Sequence, residues 1–177
     1  MNSEHVADHT ATGGIQLPSR RVVNTLGFVA CVAMLAFGYY LQFFLELSPC
    51  PLCIFQRIAI LCVGVVFAVA AVHDPWRSGA RVYAILLALV AGIGASISAR
   101  HIYIQSLPAE QVPSCGPDLG TMLEMFSVNE TIVMVLRGSG DCAEILWQFM
   151  GLSIPGWTFI CLFGLGTVGL VRNLLKN

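Results

Sequence analysis

Four long apolar stretches alternate with polar breaks along this chain. The first runs from about Val22 to Leu45, about 24 residues without a charged side chain, where roughly 20 suffice to span a bilayer. The others run from about Leu52 to Val72, from Val82 to Ile104, and from Ile154 to just before Arg172. Each predicts a membrane-spanning helix. Ser48-Pro49-Cys50-Pro51 separates the first from the second, because each proline disfavours helical geometry in the residue before it. His73 to Arg81 reads as a short turn, and Pro155 falls in the first turn of the last helix, where it is tolerated. A long polar connection spans about Gln105 to Ser153. Within it Leu119, Met122, Leu123, Phe126, Val133 and Leu136 follow helical spacing around Glu124, Asn129 and Glu130. That spacing predicts a short helix lying on the membrane surface, with a loop packed on the helix ends as the alternative. The predicted class is all-α: an integral membrane four-helix bundle with a short interfacial helix in the second outward loop.

Composition sharpens this picture. The chain is 56% hydrophobic and 11% charged over 177 residues, against about 25% charged in a typical soluble domain. A formal net charge of -1 supplies no basic patch and gives no case for nucleic acid. Membrane lipid is the partner that composition implies. Arg20 and Arg21, Arg77 and Arg81, and Arg172 and Lys176 fall on one side of a four-span topology, while Glu46, Glu110, Asp118, Glu124, Glu130, Asp141 and Glu144 fall on the other. The positive-inside rule then places both termini in the cytoplasm. Residues 1–20 read as a disordered cytoplasmic tail and 21–177 as the membrane domain. His5 and His9 in that tail, beside Glu4 and Asp8, have metal-ligand spacing but no apolar face to hold them on a helix, so a solvated tail is expected and no metal site. The first apolar stretch is too long for a signal-peptide core of about 7–15 residues and lacks a cleavage site. Asn129-Glu130-Thr131 matches a glycosylation acceptor, which matters only in a eukaryotic secretory compartment.

Seven cysteines divide into two groups. Cys31, Cys62 and Cys161 lie within predicted helices and read as small packing residues. Cys50, Cys53, Cys115 and Cys142 all lie on the outward side, in an oxidising compartment where disulfides persist. Cys50-Pro51-Leu52-Cys53 alone is ambiguous among zinc, a redox dithiol and a structural disulfide. Its position says more: Cys53 falls in the first turn of a helix, where free N–H groups and the dipole favour a thiolate. Arg57 lies one turn deeper on the same face. An arginine there needs a partner or a task, or snorkels to the interface. Cys115 and Cys142, about 27 residues apart, would close a loop worth about 3.5 kcal/mol if paired, so a structural staple is one reading. Pro113-Ser114-Cys115-Gly116-Pro117 is instead an extended stretch suited to docking in another protein's groove. Zinc held by all four outward cysteines is disfavoured, because no second Cys-x-x-Cys accompanies Cys115 or Cys142. Near the outer end of the third helix, His101 and Gln105 share a face. With Arg57 they would place three donors around one site near Cys53, suited to a flat, apolar electron acceptor with carbonyl oxygens. Interfacial residues satisfied by water and headgroups are the plainer reading.

These residues resemble a known family. The four-helix plan, Pro49-Cys50-Pro51-Leu52-Cys53 followed by Gln56-Arg57, the string Ser139-Gly140-Asp141-Cys142-Ala143-Glu144, and Gly151-Leu152-Ser153-Ile154-Pro155-Gly156-Trp157 are similar to DsbB, the bacterial disulfide bond formation proteins. The resemblance covers the chain from the first helix onward. It implies a quinone-dependent protein-dithiol oxidoreductase of the bacterial inner membrane, with its redox loops facing the periplasm. Cys50 and Cys53 would be the pair oxidised by a quinone, ubiquinone or menaquinone, with Cys53 nearest the ring. Cys115 would form the mixed disulfide with a DsbA-like periplasmic thiol oxidase, and Cys142 would then attack Cys50. Arg57, His101 and Gln105 match the family's quinone-site positions; Arg100, beside His101, either tunes that site or faces water. A non-catalytic tetraspan protein with structural disulfides, an enzyme of the vitamin K epoxide reductase type, and a relative dedicated to one special partner are the alternatives. The second is disfavoured because its active pair lies late in the bundle.

Overall fold

A computed structural model describes residues 18–112, 114, 116–117 and 119–175. The N-terminal tail with His5 and His9, together with Cys115 and Lys176, lies outside the described residues. Four helices are long and apolar enough to cross a membrane: α1 (Arg20–Phe44), α2 (Pro51–His73), α3 (Arg77–Gln105) and, numbered in chain order, α7 (Ile154–Leu174). Between α3 and α7 come a single 3-10 turn (Ala109–Gln111), α4 (Leu119–Met125), α5 (Val128–Arg137), α6 (Gly140–Ala143), and a two-stranded hairpin, β1 (Gln148–Phe149) and β2 (Leu152–Ser153).

Local chemistry sets the boundaries. Ser19 caps α1 by accepting the Val22 N–H at 3.3 Å. Glu46, with φ 53, turns the chain out of α1. Cys50 caps α2, its sulfur accepting the Cys53 N–H at 3.3 Å, and Pro51 occupies the first turn. Asp74 closes α2 in the left-handed conformation at φ 37. Hydropathy predicts α3 from Val82, yet the helix begins five positions earlier at Arg77. Hydropathy marks where a helix enters apolar surroundings, and α3 extends a polar turn and a half beyond that point. Likewise α7 runs through Arg172 rather than stopping before it. The single surface helix expected from Leu119 to Leu136 is two helices. Ser127 begins a new one, its N–H and hydroxyl donating to the Glu130 carboxylate at 3.1 and 2.7 Å in a capping box. These bonds also hold the Glu130 carboxyl below its ordinary range.

The core runs along the bundle axis through Cys31, Ile60, Val63, Phe67, Leu87, Ala91, Ala95 and Leu162. α3 and α7 pack most closely, and small residues permit it: a Cβ at Gly166 would stand 2.8 Å from that of Ala91, and one at Gly94 2.8 Å from a Leu162 methyl. The outer faces carry exposed Val29, Leu61, Leu89 and Ile160, as lipid-facing surfaces do. Of the helix cysteines, Cys31 is buried in the core, Cys161 is half-buried in the wall of a cavity between α1, α2 and α7, and Cys62 is exposed on the outer face, so packing against protein does not account for Cys62.

The first and last spans are tied at one end. Asn24 and Asn173, both buried, exchange amide hydrogen bonds at 3.3 and 3.1 Å. Arg20 donates to the Leu175 carbonyl and Arg172 to the Pro18 carbonyl, each at 2.8 Å. The α2–α3 turn lies at this end too, by the up-and-down order of the spans. The opposite end holds a second apolar cluster of Cys50, Leu52, Ile104, Met122, Val135 and Cys142.

Candidate functional site

Three cysteines and a histidine converge at that second end. The start of α2 brings Cys50 and Cys53 together, their sulfurs 2.9 Å apart. α6 delivers Cys142, which is 1% exposed. The last two turns of α3 deliver His101, 2% exposed. The Cys50 and Cys142 sulfurs and a His101 ring nitrogen all lie within 4.8 Å of one another.

The histidine is held from both sides. Its Nε2 lies 3.0 Å from the Cys142 carbonyl oxygen and 3.8 Å from the Cys50 sulfur. A carbonyl only accepts, so Nε2 carries the proton. Nδ1 then accepts from the Gln56 amide at 3.2 Å. His101 thus anchors α6 to α3 and stands against Cys50.

Cys142 is tuned by its surroundings. A hydrogen bond from the Cys50 thiol lowers its pKa to about 6, helped by the Ser139 backbone and hydroxyl and opposed by burial. The Ser139 hydroxyl lies 3.6 Å from the sulfur, and the Cys142 N–H donates to the Ser139 carbonyl at 2.9 Å. Cys50 moves the other way. The neighbouring Cys142 and Cys53 sulfurs, which favour its protonated form, and its burial push its thiol well above the ordinary range. Cys142 is therefore the thiolate of the pair and Cys50 its thiol partner.

Two hollows meet at Cys53. The larger, about 430 Å³, lies between α1, α2 and α7 and is walled by Phe37, Ile60, Trp147, Phe149 and Trp157, with Cys53 and Arg57 on its α2 side. That is within the roughly 300–1,000 Å³ of small-molecule pockets. The smaller, about 30 Å³, lies beside Cys50, Cys53, His101 and Gln105, with Asp141 and Glu144 also lining it. The three donors expected around one site are thus divided. Arg57 lines the large cavity, whereas His101 and Gln105 line the small cleft, and Gln105 accepts from the Ser153 hydroxyl at 2.7 Å. Both hollows share Cys53, Trp147 and Ile154.

Arg57 has partners as well as a place. It donates to the Gly38 carbonyl at 2.9 Å and to the Gln42 side chain, and stacks 4.9 Å from the Tyr39 ring centroid. Arg100 takes a different part. Its guanidinium donates to the Leu136 and Arg137 carbonyls at 3.0 Å each, capping α5 and fixing the strand of chain that leads to Cys142. Cys115 lies outside the described residues. Its neighbour Ser114 accepts the Gly140 N–H at 3.4 Å, so the chain on that side runs beside the start of α6.

Several contributors escape sequence reasoning. Trp147 and Phe149 reach the cavity because Met150 and Gly151, with φ 51 and 80, make a tight turn that folds β1 back onto β2. The Trp157 indole N–H then donates to the Phe149 carbonyl at 3.1 Å. Gln42 and Gly38 meet Arg57 only once α1 folds back on α2. The signals present, a Met-Gly turn and alternating aromatics, are too short to separate from a loop.

The family model for disulfide bond formation protein DsbB matches residues 20–172. A disulfide bond formation protein B from Nitrosococcus oceani is 52% identical over 152 residues, 86% of this chain and 90% of the relative. One from Methylococcus capsulatus is 49% identical over 156 residues, 88% of this chain and 95% of the relative. A third, from Hahella chejuensis, is 46% identical over 150 residues, 85% and 91% respectively.

Proposed function

The chain belongs to the DsbB family of multi-pass membrane proteins of disulfide bond formation, and on that premise we propose that it reoxidises a DsbA-like thiol oxidase and passes the two electrons through Cys115, Cys142, Cys50 and Cys53 to a membrane quinone. One observation carries the reading: Cys53 forms the seam between a buried thiol cluster and a large apolar cavity. A structural disulfide staple has no need of such a hollow against its sulfur.

The cavity suits a quinone ring. Its walls are almost wholly apolar and aromatic, and its fixed cation, Arg57, is a hydrogen-bond donor for a carbonyl oxygen. Phe37, Trp147, Phe149 and Trp157 would hold the ring, and Arg57 one of its oxygens. When bound, the quinone supplies an acceptor for two electrons and two protons.

The rest is work for the chain's own residues. A thiolate of the partner attacks Cys115 in a Cys115–Cys142 disulfide, and Cys142 leaves as a thiolate. The Ser139 hydroxyl and backbone stabilise the departing thiolate. Cys142 then attacks Cys50 within a Cys50–Cys53 disulfide, and Cys53 leaves towards Arg57. His101 holds Cys142 against Cys50 during that exchange through its bond to the Cys142 carbonyl. The basic residues Arg20, Arg21 and Arg172 mark the cytoplasmic end. The cysteine end then faces the periplasm of a bacterial inner membrane, where the partner oxidase resides.

The test is quinone reduction by purified protein in detergent, with a water-soluble quinone analogue and a reduced thioredoxin-like oxidase. Wild type is expected to consume quinone absorbance, and Cys53→Ser and Cys115→Ser to abolish it. A wild type that reduces no quinone, with disulfides that resist mild reductant, overturns the reading in favour of a structural membrane protein.

A further inference from the structure

Cys50, Cys142 and His101 come from three separate elements, yet their donor atoms meet within 4.8 Å in a buried pocket. Cys53 adds a fourth donor, 2.9 Å from the Cys50 sulfur. Tetrahedral zinc has metal–sulfur bonds of about 2.3 Å and metal–nitrogen bonds of about 2.0 Å, so its sulfur–nitrogen edges are about 3.5 Å and its sulfur–sulfur edges about 3.8 Å. The Cys50 sulfur and His101 Nε2, 3.8 Å apart, already sit near that spacing. The two α2 sulfurs need to separate by about 1 Å to meet it, which a rotation of the half-buried Cys53 side chain supplies. We propose that the reduced protein captures one soft, thiophilic cation of the zinc type between Cys50, Cys53, Cys142 and His101.

The surroundings favour it. The cleft of about 30 Å³ beside Cys50, Cys53 and His101 is lined by Asp141 and Glu144 as well. It is large enough for one water or ion, and its two carboxylates draw a cation inward. Gln56 completes the arrangement. On binding, His101 gives up its Nε2 proton and carries one at Nδ1 instead, releasing the Cys142 carbonyl. The Gln56 amide, now donating to Nδ1, turns over so that its oxygen accepts from Nδ1–H, the outer contact that orients most metal-bound histidines. The cation replaces the protons of up to three thiols, leaving a site of net charge -1 when the cation is divalent. Arg57 beside Cys53 offsets that charge. Spacing along the chain conceals the site, because His101 stands where the fourth outward cysteine would be expected.

Only the dithiol form qualifies, since a Cys50–Cys53 disulfide removes two of four donors. Binding of the cation stands without the quinone reading; its consequence for turnover, arrest of the reduced enzyme, rests on that reading. The probe is cobaltous ion, added to full-length protein reduced in detergent and freed of reductant. One equivalent should give the intense visible bands and sulfur-to-cobalt charge transfer of a tetrahedral thiolate site. The bands should be absent from oxidised protein and lost in Cys142→Ser. They should survive Cys115→Ser and Cys62→Ser, and weaken in affinity about 10- to 100-fold in Gln56→Leu. His101→Cys, which still ligates, should keep the tetrahedral bands and strengthen the charge transfer, showing that the fold is intact. An octahedral spectrum, bands that persist in Cys142→Ser, or bands lost in Cys115→Ser overturn the proposal. Failure of quinone reduction with these cobalt bands present overturns the oxidase reading alone.

Discussion

Replacing Ser139 by alanine isolates one contribution to the acidity of Cys142. The hydroxyl lies 3.6 Å from the sulfur, within a site where the Cys50 thiol supplies the larger share. A hydrogen bond to a charged acceptor contributes about 1.5–3 kcal/mol, and this separation, long even for sulfur, puts the bond at the lower end. At 1.36 kcal/mol per unit, Ser139→Ala should raise the Cys142 pKa by about one unit. Near pH 6 the thiolate fraction would then fall from about one half to about one tenth. The readout is thiolate absorbance against pH in the reduced protein, taken as the difference from Cys142→Ser. The acid limb of disulfide exchange should move up by the same amount. Stability follows the same linkage. The Cys142 pKa is lowered from 9.0 to about 6, so its stabilising contribution is full above pH 9 and is lost as pH falls through 6. The raised Cys50 thiol works oppositely: as pH rises above 9.0 the unfolded thiol ionises while the folded one resists. The melting temperature should therefore climb between these values and decline beyond them, with the rise beginning at higher pH in Ser139→Ala. A midpoint that stays put or falls refutes the account of how Cys142 is activated.

Gly138→Ala should slow disulfide exchange while leaving the bundle's melting temperature nearly unchanged. The backbone there has φ 87, and an added Cβ would run into Ile104; the strain, about 1–3 kcal/mol, is borne by the segment leading to Cys142 and should show as faster hydrogen exchange across α6. Gly166→Leu should cost about 1–3 kcal/mol in unfolding free energy by forcing α3 from α7, whereas Gly92→Leu, with open space around it, should be near neutral; equal effects in unfolding titrations would refute the close packing of those two helices.

What could be read from the sequence depended on how far a signal had to reach. The four spans were legible because bilayer thickness imposes about 20 apolar residues in a row, a constraint internal to each helix. Cys53 at a helix start and Arg57 one turn deeper were legible for the same reason: Pro51 fixes the helix start and the spacing does the rest. The division of Arg57 from His101 and Gln105 into two hollows was not legible, because it depends on how α3 is rotated against α2. No sequence spacing reports that rotation. Gln56 shows the limit well. It lies beside Arg57 in the chain, yet the helix turns it inward to His101 while Arg57 points to α1. The break at Ser127 was in principle readable, since Ser127 and Glu130 form a capping box three residues apart, but the apolar periodicity running across it suggested one helix. The hairpin at Met150-Gly151 lies below what periodicity resolves, its strands being two residues each.

The cavity exists because the bundle is closed unevenly. At the end bearing the termini, α1 and α7 are drawn together by the Asn24–Asn173 pair and by Arg20 and Arg172 on backbone carbonyls. At the cysteine end α1 leans on α2 instead, through Arg57 on Gly38 and Gln42. The gap left against α7 is roofed by the aromatic hairpin rather than filled. An apolar hollow of this size forgoes packing contacts within the protein, a cost that a bound ligand offsets. Filling it from the protein side is therefore the sharpest test of what it is for. Ala33 on α1 lines the cavity and lies outside the cluster packed around Cys50 and Cys142. Ala33→Phe should leave the melting temperature equal or raised, because an apolar ring enters an apolar space. It should also leave single-turnover exchange between the partner's thiols and Cys115 intact. The KM for the quinone analogue should rise about 10-fold, equivalent to about 1.4 kcal/mol of lost binding. An unchanged KM for the quinone alongside a raised melting temperature would show that the hollow is filled without consequence, and the acceptor site would have to be sought elsewhere on α2.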